Sequence, residues 1–255
     1  MFLAACVQLR CNTDIDRNLA KTEELVRRAA KMGAQLVATP ENTSLLGPQF
    51  HKVELAESLD GPIAKRLQAL AKELNIHLLV GSLNEQRTLP DGTVDTQLCH
   101  NTSILYGPNG DRIARYRKMH LFDVDVPGGL TVKESDSICP GDEVVVADTA
   151  LGKLGMSICY DLRFPELYRA QVELGADLIA VPSAFTNTTG QDHWHTLLRT
   201  RAIETQCWVL APAQWGIHDE KGRRHSYGHS VIIDPWGTVV AEKGAGEGLC
   251  MAEID

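Results

Sequence analysis

The stretch that decides the fold is residues 151–169, which read LGKLGMSICYDLRFPELYR. An apolar run ends at Cys159, a short polar break follows, and Pro165 opens an amphipathic segment. Because proline is favoured at the first helical position, this pattern predicts a strand, a sharp turn and a helix that starts near Pro165. Cys159 would lie at the strand's tip, where backbone N–H groups lower a thiol pKa and can hold an oxyanion. From this stretch alone, a nucleophile and a buried structural thiol are equal alternatives.

The composition favours one α/β domain without nucleic-acid or membrane partners. The chain has 255 residues and a formal net charge of -8, with both signs interspersed. Nucleic acids and anionic membranes are therefore not expected as partners. The N-terminal MFLAACVQLR lacks the basic region and the long apolar stretch of a signal peptide, and no apolar run is long enough to cross a bilayer. We expect a single domain over residues 1–255 and a cytoplasmic location.

Cysteine and histidine residues are scattered along the chain. The sequence has 7 cysteines and no C-x-x-C pair, which argues against a disulfide framework or a zinc ribbon. Among the 9 histidines, the closest pair is His193 and His195, which would point to different faces of a helix. We therefore expect no metal site.

Hydrophobic periodicity predicts helices and strands in alternation, with hairpins between some strands. The segment from Lys118 to Gly141 is long and irregular, and its Pro-Gly-Gly and Cys-Pro-Gly sequences predict an ordered, docked loop. These elements together predict mixed sheets covered by helices. The predicted helices are residues 15–32, 62–74, 164–174 and 192–205.

One eight-residue pattern occurs twice in the chain. Residues 33–40, GAQLVATP, and residues 175–182, GADLIAVP, both match G-A-x-L-x-A-x-P, and each follows a predicted helix. A chance match between two α/β units is one explanation. If the match instead reflects two similar halves, Glu41 and Ser183 lie at corresponding strand ends.

Three residues near predicted strand ends carry the chemistry of a cysteine hydrolase. A nucleophilic thiol needs a base for its proton and a positive group that stabilises the oxyanion. Glu41, Lys118 and Cys159 each end or follow a predicted strand. Strand ends are where an α/β sheet gathers functional groups. A lone Glu or Lys is usually a solvated surface residue, but the three together favour a catalytic set.

The segments around these residues resemble the signature segments of the nitrilase, or carbon-nitrogen hydrolase, superfamily. They read PE at residues 40–41, YRKMHLF at 116–122 and GMSICYDLRFPE at 155–166. The resemblance covers essentially the whole chain, and HLFDVDVPGG, PSAFTNTTGQDHW and HSYGHSVIIDPWG are most similar to the Nit branch. It implies an α/β fold, an αββα sandwich with two mixed sheets, that associates into a homodimer or a higher homo-oligomer.

The resemblance also implies a role for each site residue. Glu41 would be the general base, Lys118 the oxyanion stabiliser and Cys159 the nucleophile. The backbone N–H of Tyr160 would share the oxyanion with Lys118, and Glu134 would orient groups at the site. Lys118 would favour the thiolate, while the two carboxylates would raise each other's pKa. No cofactor is needed for such chemistry.

The implied activity is hydrolysis of a small linear amide. Within the Nit branch, the resemblance is greater to enzymes of deaminated glutathione than to ω-amidases of small keto-acid amides. Both substrate classes carry carboxylates, for which arginine is a suitable partner. Arg163 and Arg199 are candidates for this partner. Phe185 and Thr186 are candidate wall residues of the site.

Two alternatives and one departure from the branch remain at this point. An ω-amidase of small keto-acid amides is the nearest alternative activity. A non-catalytic interaction protein, or a redox sensor that uses Cys159, is the alternative from another class. His195 stands where the branch has an acid, which puts local polar contacts or the substrate preference in doubt.

Overall fold

The computed structural model describes residues 1–125 and 131–255 of the chain. The helices in these ranges are α1 (Ile15–Lys31), α2 (Gln49–Glu54), α3 (Pro62–Leu74), α4 (Pro165–Glu173) and α5 (Asn187–Thr205). The strands are β1 (Phe2–Gln8), β2 (Leu36–Ala38), β3 (His77–Thr88), β4 (Val94–Tyr106), β5 (Arg112–Arg117), β6 (Asp123–Asp125), β7 (Thr131–Lys133), β8 (Val146–Thr149), β9 (Gly152–Met156), β10 (Leu178–Ala180), β11 (Trp208–Ala211), β12 (Trp215–Ile217), β13 (His225–Tyr227), β14 (Ser230–Ile233), β15 (Val239–Lys243) and β16 (Gly248–Ile254). Two short 3₁₀ turns cover Glu134–Asp136 and Cys159–Arg163.

Two mixed sheets, each with six strands, form the centre of the molecule. The first has the order β16-β1-β2-β3-β4-β5 and the second the order β15-β14-β11-β10-β9-β8. Each sheet contains three neighbouring parallel strands. They are β1, β2 and β3 in the first sheet and β9, β10 and β11 in the second. Antiparallel strands extend each sheet on both sides. The expected α/β class with mixed sheets is therefore confirmed.

Alternating side chains along the strands belong to two different cores. In β1, Ala4 and Cys6 join the core that contains apolar residues of both sheets. Their neighbours Ala5 and Val7 join the core that the first sheet forms with α1 and α3. Successive strand residues point to opposite faces, which explains this division. Helices α4 and α5 contact the second sheet, so the layers follow the expected order of helix, sheet, sheet and helix.

The ends of three helices match their local sequence signals. Asp14 caps α1, because its side chain accepts a hydrogen bond from the Arg17 N–H at 3.0 Å. Helix α3 begins at Pro62 and α4 at Pro165, both with proline in the first turn. The predicted start of the helix after Cys159 is therefore confirmed.

Some predicted boundaries differ from the structure for identifiable reasons. Helix α5 begins five residues earlier than expected, because Thr186 caps its first turn. Strand β3 continues beyond its predicted end at Ser82, and β4 begins before its predicted start at Asn101. In this extension the buried Glu85 carboxylate is paired with Arg117 at 2.6 Å, which stabilises it. Strand β9 ends at Met156, so Cys159 does not end the strand and instead opens a tight turn.

The predicted docked loop between Lys118 and Gly141 contains regular structure. Strands β6 and β7 pair in antiparallel fashion, and the turn Glu134–Asp136 follows them directly. The Pro-Gly-Gly sequence of this segment lies outside the described residues. The described part of the segment thus places Glu134 at a fixed turn.

The repeated pattern in the sequence occupies corresponding positions in the two sheets. Strand β2 lies between two parallel neighbours in the first sheet, and β10 lies between two parallel neighbours in the second. Glu41 follows β2, and Ser183 follows β10 at the same distance along the chain. The next residue, Ala184, donates its N–H to Glu41 Oε2 at 2.8 Å, so the two corresponding strand ends meet.

In the described ranges, no helix combines the length and the apolar character that a membrane crossing requires.

Gly81 lies where β3 passes the chain that leads to Glu41. A Cβ on Gly81 would lie 2.0 Å from Thr39 O and 2.4 Å from Pro40 O. Both are backbone atoms, which cannot move away without a large cost in free energy. We expect Gly81→Ala to lower the free energy of unfolding by about 1–3 kcal/mol, as overpacking does. Chemical denaturation measures this change. Gly244→Ala is the control, since a Cβ there meets nothing within 4 Å, and equal losses in both variants would contradict the argument.

Candidate active site

The four predicted catalytic residues line one cavity with a volume of about 530 Å³. Glu41 and Lys118 come from the first sheet, where they follow β2 and β5. Cys159 comes from the second sheet, and Glu134 from the turn after β7. The structure thus brings together residues that lie far apart in the sequence.

A buried lysine joins the two carboxylates of the site. Lys118 Nζ lies 2.9 Å from Glu41 Oε1 and 2.8 Å from Glu134 Oε2. Asn101 Nδ2 donates to the same pair, at 2.9 Å to Glu41 Oε1 and 3.3 Å to Glu134 Oε1. The exposed fractions are only 3% for Glu41, 2% for Lys118 and 4% for Glu134. Solvent therefore screens these charges little.

The pKa values of Lys118 and Glu134 follow from this arrangement. Burial lowers the pKa of Lys118, but the carboxylates of Glu134 and Glu41 raise it well above its usual value. Burial raises the pKa of Glu134, but the Lys118 ammonium outweighs burial and lowers it to about 2. The expectation that the two carboxylates raise each other's pKa is wrong for Glu134, because Lys118 lies between them. Glu134 is therefore ionised.

Cys159 holds its proton in the resting site. Burial raises the pKa of its thiol well above the usual value, and the neighbouring Glu41 carboxylate raises it further. Lys118 lowers the pKa, but by less than these two effects together. Lys118 thus favours the thiolate, as expected, although burial and Glu41 together outweigh its effect on the pKa. A neutral thiol next to a carboxylate is nevertheless the arrangement in which a base can take the proton during attack.

The turn at Cys159 has an unusual backbone. Cys159 has φ +52, a left-handed conformation that is uncommon for residues other than glycine. Its N–H donates to Pro182 O at 3.0 Å, which ties the turn to the end of β10. The next N–H, that of Tyr160, has no acceptor among the described residues. This N–H remains the candidate oxyanion donor.

Asp161 connects the cysteine turn to the lysine segment, and the sequence analysis missed it. Its buried carboxylate accepts hydrogen bonds from Ile158 N at 2.8 Å and Tyr116 Oη at 2.7 Å. It also contacts His120 through the backbone N at 3.0 Å and Nδ1 at 2.7 Å. Tyr116 and His120 flank Lys118 in the sequence. One carboxylate thus holds the Cys159 turn against the segment that carries Lys118.

Two further contacts hold the Glu41 segment in place. The carboxylate accepts the N–H of Ala184 at 2.8 Å. Gln214 Nε2 donates to the backbone oxygen of Glu41 at 2.9 Å. Asn42, the next residue, has φ +58 and so turns the chain sharply after the carboxylate. Neither Ala184 nor Gln214 carries a sequence signal, since they approach Glu41 only through the fold.

Of the predicted substrate-binding residues, some line the cavity and others lie outside it. Thr186 lines the cavity. Phe185 is buried and packs on Trp194, with ring centroids 5.1 Å apart, and it is not among the described residues that line the cavity. Arg163 lies over the rings of Tyr160 and Phe185, at 5.8 and 5.6 Å from their centroids. It does not line the cavity in the described part of the chain.

Arg199 also lies away from the cavity. Its Nε donates to Gly237 O at 2.7 Å, which fixes α5 to the turn between β14 and β15. The cationic residues that do line the cavity among the described residues are Lys52, Lys118, Lys133, Arg223 and Arg224. Sequence reasoning missed Lys52, Lys133, Arg223 and Arg224, because their position at the cavity follows only from the fold.

His195, the departure from the branch, belongs to another surface. Its Nε2 lies 3.2 Å from Glu242 Oε1, and His229 Nδ1 contacts the same oxygen. Ligand atoms of the three residues lie within 4.8 Å of one another, a spacing that their hydrogen bonds explain. His195 does not line the cavity, so its contacts bear on this surface rather than on the candidate catalytic residues.

Comparison with known proteins identifies the class. The carbon-nitrogen hydrolase family model matches residues 3–255, and the chain belongs to this family. It is 44% identical over 256 residues to the deaminated glutathione amidase of Synechocystis sp. (strain PCC 6803 / GT-S), a match that covers 100% of this chain and 92% of that protein. Family and relatives make it a hydrolase that acts on amide carbon-nitrogen bonds and place it in the Nit branch of the nitrilase superfamily.

Solved structures support the same assignment. The crystal structure of the Caenorhabditis elegans NitFhit protein has a TM-score of 0.90 and 39% identity, and it covers 100% of this chain and 60% of that one. An amidase from Nesterenkonia sp. AN1 has a TM-score of 0.84 and 25% identity, covering 100% and 94%. That structure is of a mutant of the amidase, in which acrylamide is joined by Michael addition at the active-site cysteine.

The contacts of Asp161 lead to a first test at this site. Asp161→Asn replaces one acceptor oxygen by an NH₂ group, which faces donors that it cannot pair with. We expect the free energy of unfolding to fall by about 1–3 kcal/mol, the cost of leaving a buried polar group unpaired. Chemical denaturation measures it. Asp192→Asn, at an exposed position of α5, is the control, and equal stability of the two variants would show that the link is dispensable.

The low pKa of Glu134 leads to a pH test. Because it lies at about 2, below the ordinary 4.5, ionised Glu134 stabilises the fold above pH 4.5 and loses this effect as the pH falls toward 2. The difference in unfolding free energy between wild type and Glu134→Gln should therefore shrink between about pH 5 and pH 3. Denaturant titrations at each pH measure it. Glu166→Gln, at an exposed position, provides the control. A difference in unfolding free energy between wild type and Glu134→Gln that stays constant with pH would contradict the prediction.

Proposed function

We propose that the protein is a cysteine amidase that hydrolyses deaminated glutathione to 2-oxoglutarate and cysteinylglycine. The observation that carries the proposal is the buried set of Glu41, Lys118 and Glu134 in one cavity with Cys159. The name of the Synechocystis relative supports the substrate. The acrylamide adduct of the Nesterenkonia amidase supports a reactive cysteine in this fold.

In the first half of the proposed reaction, Glu41 takes the thiol proton while Cys159 Sγ attacks the amide carbonyl carbon. The carbonyl π electrons move to oxygen, and the Lys118 ammonium and the Tyr160 N–H stabilise the oxyanion. Collapse of this intermediate breaks the carbon-nitrogen bond. Glu41 returns the proton to the departing amine. Ionised Glu134 keeps Lys118 charged and in place through their 2.8 Å contact.

In the second half, water replaces the amine in the site. Glu41 takes a proton from this water, whose oxygen attacks the thioester carbonyl carbon. The second oxyanion meets the same two donors, and its collapse breaks the carbon-sulfur bond. The thiolate of Cys159 recovers a proton from Glu41, and the acid leaves. No cofactor enters the proposed sequence.

A comparison of two amides tests the substrate. The wild-type enzyme should hydrolyse deaminated glutathione with a higher kcat/KM than α-ketoglutaramate, the substrate of an ω-amidase. A preference for α-ketoglutaramate would make the protein an ω-amidase instead. Hydrolysis of neither amide would contradict the proposal and favour the non-catalytic alternatives.

Variants of Glu41 and Cys159 test the mechanism. Glu41→Gln should lower kcat by about 10²–10⁴-fold, since it removes the proton acceptor, whereas Glu173→Gln at an exposed position of α4 should not. Intact-mass measurement of Glu41→Gln soaked with deaminated glutathione should detect a 2-oxoglutaryl adduct. Cys159→Ala should show neither turnover nor adduct. An adduct that survives in Cys159→Ala would exclude Cys159 as the nucleophile.

The remaining expectations from the sequence belong to the same proposal. We place the enzyme in the cytoplasm, as a single domain over residues 1–255. We also propose a homodimer or a higher homo-oligomer, which large exposed apolar side chains support, among them Trp236 at 88% exposure and Phe50 at 64%. Static light scattering of the purified protein tests the assembly, and a monomer at micromolar concentration would contradict it.

A further inference from the structure

Lys52 is a buried cation whose ammonium contacts no hydrogen-bond or ion-pair partner among the described residues. It lies in α2, is only 8% exposed and lines the same cavity as Cys159. Its backbone oxygen accepts a hydrogen bond from Cys99 Sγ at 3.5 Å. Its ammonium has no hydrogen-bond or ion-pair partner within residues 1–125 and 131–255. Because buried charges in proteins are normally paired, this ammonium lacks a partner that a bound ligand would supply.

The charges of the cavity show what kind of ligand would fit. Glu41 and Glu134 carry negative charge, and Lys118 neutralises only one of them. An anionic ligand would therefore be repelled by these three residues alone. Lys52 is near enough to help lower the pKa of Glu134. Its positive charge offsets this excess, and its ammonium, which no described side chain contacts, is the group that an anion can pair with inside the cavity.

The burial of Lys52 indicates which half of an amide substrate it meets. After acylation, the acid half stays bonded to Cys159, while the amine half must leave for solvent. The enclosed Lys52 is therefore placed to contact the acid half, which stays in the cavity. The exposed Arg223, which lines the same cavity, suits the half that leaves.

We propose that the Lys52 ammonium binds the free carboxylate in the acyl half of the substrate. The site would then select half-amides of short dicarboxylic acids over neutral amides of the same length. This inference rests on the proposed amidase function and extends it to one specificity-determining residue. Lys52 has no part in the bond-breaking steps, so its loss should weaken substrate binding more than it lowers kcat.

Three amides separate the possible positions of the carboxylate. α-Ketoglutaramate carries it in the acyl half, N-pentanoyl-cysteinylglycine carries it only in the amine half, and pentanamide has none. Lys52→Met should raise KM for α-ketoglutaramate by roughly 10- to 100-fold, as expected for loss of a hydrogen bond to a charged group. It should leave the kinetic constants for the other two amides nearly unchanged. Lys52→Arg, which keeps the charge, should recover part of the loss.

Lys65→Met, at an exposed position of α3, is the matched control and should behave as wild type with all three amides. Equal losses on α-ketoglutaramate and pentanamide in a folded Lys52→Met would overturn the proposal. A loss confined to N-pentanoyl-cysteinylglycine would also overturn it, since Lys52 would then bind the amine half. If the wild type hydrolyses deaminated glutathione and Lys52→Met leaves KM for α-ketoglutaramate unchanged, only the inference on Lys52 fails.

A measurement on the wild type covers the case in which Lys52→Met does not fold. The wild-type kcat/KM should be at least about tenfold higher for α-ketoglutaramate than for pentanamide, because only the first amide offers a carboxylate to Lys52. Equal values would overturn the proposal without any variant. If the wild type hydrolyses neither deaminated glutathione nor any of these amides, the proposed function itself fails, and this inference fails with it.

Discussion

The contact of the Lys118 ammonium with the carboxylates of Glu41 and Glu134 is the interaction on which the site depends. All three groups are buried, so each charge is held only by the others and by hydrogen bonds from neighbours such as Asn101. Removal of one partner from such a buried set leaves an uncompensated charge, at a cost of about 3–5 kcal/mol. The same contacts keep Lys118 charged and Glu134 ionised, which is the state that oxyanion stabilisation requires.

The two sheets meet at this site through two carboxylates with different tasks. Asp161 fixes the Cys159 turn of the second sheet to residues on both sides of Lys118 in the first. Glu41 reaches in the other direction and accepts the N–H of Ala184, which follows β10. Glu41, Lys118 and Cys159 therefore have fixed relative positions because these contacts join the two sheets. The contacts that stabilise the interface between the sheets are consequently the same contacts that fix the geometry of the site.

Much of the fold was predictable, because its signals are local. Periodicity and proline placed α3 and α4, and the repeated G-A-x-L-x-A-x-P pattern occurs at the corresponding strands of the two sheets. The extensions of β3 and β4 were not predictable, since Glu85 looks like a surface residue until Arg117 is beside it. The left-handed backbone of Cys159 was missed for a similar reason, because its N–H is held by Pro182 from another strand.

The residues of the site also fall into two groups, those that local sequence predicts and those that it does not. Glu41, Lys118, Glu134 and Cys159 lie in segments that resemble family signatures, and the fold brings all four into one cavity. The arginines chosen for the substrate lie elsewhere, since an arginine near the cysteine can equally well stack on aromatic rings, as Arg163 does. Burial of a cation and the lack of a contacting partner, the two properties that single out Lys52, cannot be read from the sequence. Lys52 has both in the described structure, which is why the specificity of the site follows from burial and charge balance rather than from a motif.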